Sequence, residues 1–105
     1  MAYVLRPYRR FPAFCPVRYE NRFHSAHGTV TNLSPRGWRI HGDARLQAGD
    51  VCSMKVRLAT GKWVSVSAGI VRWVRGEECG IETLVMNDES QVQLNDYIQA
   101  RMKAL

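Results

Sequence analysis

The stretch VCSMKVRLATGKWVSVSAGIVRW, Val51 to Trp73, decides the fold. Met54, Val56 and Leu58 alternate with Lys55 and Arg57, the period-two pattern of an antiparallel strand with one buried face. Thr60-Gly61-Lys62 predicts a hairpin, and the chain returns through Val64, Val66 and Ala68 on a common face. At Gly69 that phase changes, which predicts a bulge.

The same punctuation extends in both directions. Short runs rich in Val, Ile, Thr, Trp and Tyr are separated by clusters of Gly, Pro, Asn and Asp. On the N-terminal side, strands are expected near Pro16 to Glu20, Gly28 to Leu33 and Trp38 to His41, with a polar loop around Asn21 to Ser25. Val30 and Leu33 do not alternate strictly, so the inward face of the second strand stays open. A turn at Gln47-Ala48-Gly49-Asp50 leads into Val51, and Gly80 to Leu84 reads as the last strand. After Asn87 the period becomes helical: Val92, Leu94, Ile98 and Met102 form a stripe, and Asp88 with Gln91 offers a capping box. Six or so short antiparallel strands with a C-terminal α-helix close most economically into a small, mainly β barrel, because closure removes exposed edges. Residues 13–105 are expected to form this single domain. Residues 1–12, with Arg6, Arg9 and Arg10 among Pro7, Tyr3, Tyr8 and Phe11, lack periodicity and read as an extended, flexible basic arm.

Composition narrows the function. With 105 residues, 46% of them hydrophobic and 23% charged, the chain can bury one core without metals or cross-links. Fifteen Lys and Arg against nine Asp and Glu leave a net charge of +6, which calls for an anionic partner. No apolar run spans a bilayer and the start does not resemble a signal peptide, so no membrane insertion and a cytoplasmic location are expected. Cys15, Cys52 and Cys79 are widely spaced, without C-x-x-C, and read as core thiols. His24, His27 and His41 come with no nucleophile, zincin or paired-carboxylate motif, so no enzyme activity is expected. No metal site is expected either, since an odd separation on a strand sends His24 and His27 to opposite faces. The glycines fall in turns between strands, which disfavours phosphate loops that open a helix.

Two segments remain that carry recognition chemistry. Arg6 and Arg10 are four apart with Arg9 adjacent, and guanidinium groups bind phosphate bidentately while stacking on purine rings. Asn32-Leu33-Ser34-Pro35-Arg36-Gly37 is a tight turn presenting an amide and a hydroxyl. Gly37 is expected to adopt φ > 0 there and to admit a ligand close to the backbone.

An arm with R-x-x-x-R, some twenty residues before [D/N]-x-S-x-x-G, then a β-meander and a closing helix, resembles the PilZ domain family over nearly the whole chain. The resemblance implies a receptor site for the bacterial second messenger cyclic di-GMP, with no other cofactor. It maps the motif arginines to Arg6 and Arg10 and the turn residues to Asn32, Ser34 and Gly37. Arg9 begins an alternative frame, Arg-Arg-Phe-Pro, whose second arginine would fall on Ala13; the spacing from Arg10 to Pro16-Val17 favours the first frame. Leu5 ahead of the first arginine favours a single bound ligand molecule. Trp73 resembles the family's planar contact and is expected to stack on a guanine or, equally, to cap the barrel. The resemblance further implies a downstream protein partner. Two other readings fit the charge: a basic barrel that binds RNA or single-stranded DNA through Trp38, Trp63 and Trp73, and a PilZ adaptor that binds protein only.

Overall fold

The computed structural model describes residues 11–42 and 46–103. Six strands and one helix follow in order: β1 (Phe11–Glu20), β2 (Ser25–Leu33), β3 (Gly37–Gly42), β4 (Val51–Arg57), β5 (Trp63–Arg75), β6 (Glu78–Met86) and α1 (Asp88–Lys103). All strand pairs are antiparallel and close into a barrel of order β1-β2-β3-β6-β5-β4. No helix among the described residues is long and apolar enough to cross a membrane.

The alternating residues fill the barrel. Met54, Val56, Val64, Val66 and Ile81 are buried with Val17, Tyr19, Trp38 and Ile40 from the opposite wall. The phase change in β5 is real: Val66 is buried, Ala68 half-buried, then Gly69 and Val71 buried, with register shifts at Val66/Ala68 and Ala68/Gly69. A second bulge, between Val30 and Asn32 against β3, explains the broken alternation of β2. The extra residue lets Val30 and Leu33 both point inward. The turns also hold. Gly49 and Gly61 have φ of 96° and 87°, and Gly61 N–H donates to Leu58 O at 2.8 Å.

Several boundaries move. β1 begins at Phe11, two residues inside the segment assigned to the arm, and β2 begins at Ser25, shortening the polar loop. β5 runs on to Arg75 and β6 starts at Glu78, because Gly76 with φ 61° makes a two-residue hairpin turn that pairs Arg75 with Glu78. The helix is capped one residue earlier than expected, since Asn87 Oδ1 accepts from Ser90 N–H at 2.7 Å. Val92 is 58% exposed and does not belong to the buried stripe, which runs through Ser90, Leu94 and Ile98 at a spacing of four. The side chain of Met102 lies outside the described residues. Ser90 Oγ accepts from Ser65 N–H at 3.0 Å, fastening α1 to β5.

Cys15, Cys52 and Cys79 are all buried and unpaired. Burial pushes the thiols of Cys52 and Cys79 up to about 11, with the neighbouring Cys79 adding to the shift at Cys52.

Candidate functional site

The Asn32 to Gly37 turn closes the β2–β3 hairpin. Ser34 N–H donates to Gly37 O at 3.1 Å, Ser34 Oγ donates to the same oxygen at 2.8 Å, and Gly37 N–H donates back to Ser34 Oγ at 3.0 Å. Ser34 is 4% exposed, so its hydroxyl holds the bend rather than standing free on it. β6 braces the turn from the side: Thr83 N–H donates to Arg36 O at 2.8 Å and Thr83 Oγ1 to Pro35 O at 3.3 Å. The expected positive φ at Gly37 is absent, because Gly37 is the first residue of β3 and adopts no left-handed conformation. A Cβ there would meet only ordinary contacts, Ile81 O at 3.6 Å and Ser34 Oγ at 3.7 Å.

Strand register extends the turn into a larger surface. Asn32 lies opposite Arg39, Arg39 opposite Gly80, and Gly80 opposite Trp73. Residues directly opposite across antiparallel strands share a face. A row on the outside of the barrel therefore joins Asn32 to Trp73 across β2, β3, β6 and β5. Trp73 lies flat over Gly80: a Cβ on Gly80 would fall 2.1 Å from Trp73 Nε1, so only glycine leaves room for the indole. The guanidinium of Arg39 sits 5.6 Å from the centre of the Trp73 ring and forms an ion pair with Glu78. That pairing holds the Glu78 carboxyl below the usual carboxylate range. Arg72 and Glu82 form a second ion pair at 2.6 Å on the same side. A register shift between Val71 and Trp73 brings both Arg72 and Trp73 to the outer surface.

The sequence-derived candidates thus divide. Asn32, Ser34, Gly37 and Trp73 belong to one connected surface, Ser34 as its internal brace. Arg6, Arg9 and Arg10 lie outside the described residues. The first described residues after them, Phe11 and Pro12, pair with Leu33 and Asn32, so β1 enters the barrel beside the turn. Arg39, Glu78 and Gly80 escaped the sequence reading. Alternation with the inward Trp38 and Ile40 puts Arg39 outside, but only the register reveals its neighbours. The three tryptophans do not share a face. Trp38 is 2% exposed in the core, while Trp63 and Trp73 stand near opposite ends of β5, so the three do not form the shared platform on which the RNA or single-stranded DNA reading rested, and that reading is not favoured. Among the described residues, no cluster of His, Cys, Asp or Glu could hold a metal.

Solved structures with this architecture include the inhibitor of motility MotI/DgrA of Bacillus subtilis, at 18% identity and a TM-score of 0.79 over 96% of this chain and 53% of that one. The PilZ domain of CeSA from a cellulose-synthesizing bacterium matches at 15% identity and a TM-score of 0.69, covering 90% of this chain and 98% of that one. This chain thus spans about half the length of the MotI/DgrA chain. No curated sequence matches it significantly. The PilZ domain family model matches residues 5–100, and the chain belongs to that family of receptor and adaptor domains.

Proposed function

We propose that this PilZ domain is a cytoplasmic receptor for cyclic di-GMP, which it binds between the segment carrying Arg6, Arg9 and Arg10 and the outer row from Asn32 to Trp73. The observation that carries this reading is the pairing of Phe11 with Leu33 and of Pro12 with Asn32, which leads the arginine segment to the turn. A ligand with two phosphates and two guanines needs cations and planar or hydrogen-bonding partners together. The arginines supply the cations. Asn32, whose carboxamide makes no hydrogen bond among the described residues, supplies an amide, and Trp73 a ring already stacked against a guanidinium.

Ligand bound in this way fixes the residues ahead of Phe11 against the barrel and changes the surface offered to a downstream protein. Ordering them costs roughly 1–2 kcal/mol per residue, against about 1.5–3 kcal/mol returned by each charge-assisted hydrogen bond. Affinity therefore depends steeply on each arginine. Arg10→Ala weakens cyclic di-GMP binding by about ten-fold or more, read by titration calorimetry with GTP as control. Unchanged affinity in that variant removes Arg10 from the site, and failure of the wild-type chain to bind, with its fold intact, favours an adaptor that recognises protein alone.

A further inference from the structure

Away from the Asn32–Trp73 row, the barrel carries a second, differently built surface. Register places His27 opposite Arg18, Arg18 opposite Lys55 and Lys55 opposite Ser65, a row across β2, β1, β4 and β5. Here the wall is hollowed into a groove of about 530 Å³ lined by Pro16, Arg18, Gly28, Lys55, Trp63 and Ser65, among others. That volume lies within the range of ligand-binding clefts. Trp63 is 53% exposed at its edge, and Arg57 lies opposite Trp63 on the neighbouring strand.

Charge decides the occupant. Among the described residues no carboxylate forms an ion pair with Arg18, Lys55 or Arg57, whereas Arg39 and Arg72, in the other row, are each neutralised by a glutamate. Among the described residues, no acidic one lines the groove; Glu20 lines the adjoining hollow, whose wall includes Arg18 and Lys55, without an ion pair to either. The groove therefore joins unneutralised cations to an apolar floor of Pro16 and Trp63. Tryptophan and arginine are the residues that most often dominate protein interfaces. A nucleic-acid base is a poorer occupant than an apolar side chain. Base recognition relies on stacking platforms, and among the described residues Trp63 is the one tryptophan, tyrosine or phenylalanine that lines the groove.

We propose that this groove docks an acidic segment of a partner protein, an aromatic or aliphatic side chain seated against Trp63 and Pro16 and flanking carboxylates on Arg18 and Lys55. The site is independent of the second-messenger reading and stands on its own surface.

A random-peptide display selection on the whole chain tests it, with the Arg18→Glu/Lys55→Glu double variant as counter-target. Both side chains point to solvent, so the variant keeps its fold, checked by its thermal transition. The expected result is enrichment of peptides that combine Asp or Glu with a large apolar residue. Such a peptide, labelled and titrated, loses ten-fold or more in affinity on the double variant and on Trp63→Ala, and shifts the amide resonances of Arg18, Gly28, Lys55 and Ser65. No enrichment, enriched peptides without acidic residues, or affinity that survives the double variant overturns the proposal. A ten-nucleotide oligo-dT that binds the groove more tightly than the selected peptides overturns it in favour of a nucleic-acid partner. Because no cyclic di-GMP is present, these outcomes are separate from the success or failure of the receptor reading.

Discussion

Gly80 carries more of the site than its size suggests. Its missing side chain is the space in which the Trp73 indole lies, and a methyl group there would sit 2.1 Å from Trp73 Nε1. Gly80→Ala therefore expels the ring. The expected outcome is a loss of about 1–3 kcal/mol of stability by denaturant titration, together with a changed near-ultraviolet circular dichroism signal from Trp73. Gly37→Ala, in contrast, meets nothing closer than 3.6 Å and is expected to leave stability nearly unchanged. Arg39 is held between the Trp73 face and Glu78. On the proposed reading, Glu78→Gln releases that guanidinium toward a ligand phosphate. Cyclic di-GMP affinity then rises about two- to five-fold, the worth of one solvent-exposed ion pair, and calorimetry reads it. The motif residues Asn32 and Ser34 were legible from the sequence because turn chemistry is local. Arg39 and Gly80 were not, because Arg39 depends on Glu78, 39 positions away, and Gly80 on its pairing with Trp73 across the β5–β6 hairpin, which only the register reveals.

The strands were legible wherever alternation was strict, as in β4, and even the bulge in β5 announced itself as a change of phase at Gly69. Their ends were harder to read. The hairpin at Gly76 depends on one glycine with φ 61° between two charged residues, a weaker mark than the Gly61 turn. The helix shows a similar limit. Asn87 and Asp88 are both good caps by type, and only the 2.7 Å contact to Ser90 N–H selects Asn87. Val92 fits a helical period but faces away, because only a narrow stripe through Ser90, Leu94 and Ile98 is buried against the core. Asn87→Ala is expected to cost about 1 kcal/mol. Leu94→Ala, at a fully buried position, is expected to cost about 2–5 kcal/mol. Urea unfolding of the two variants should rank them in that order.

For the molecule as a whole, the order β1-β2-β3-β6-β5-β4 is what brings the distant pieces together. Closure into a barrel could be argued from the number of short strands and the cost of exposed edges, but the insertion of β6 beside β3 could not, since long-range pairing leaves no mark in local periodicity. The core makes a prediction about alkaline stability. Cys52 and Cys79 are held protonated up to about 11 in the folded state, against an ordinary value of 9.0. Unfolding then releases protons between those two values, so the stability contributed by the neutral buried thiols is intact below pH 9 and falls as pH rises toward 11. Denaturant midpoints measured across that interval should decline more steeply for the wild type than for a Cys52→Ala/Cys79→Ala variant.

The barrel is not equally tight around its circumference. β1 is paired with β2 along most of its length but with β4 only from Val17 to Glu20. The half that begins at Phe11 is thus laddered to one neighbouring strand and otherwise held by side-chain packing, with Ala13 and Cys15 in the core. Pulling on the chain ahead of it peels that half before it strains the rest, so a mechanical load applied there is absorbed locally. Amide hydrogen exchange should show the asymmetry directly, with Phe11 to Cys15 exchanging faster than Val17 to Glu20.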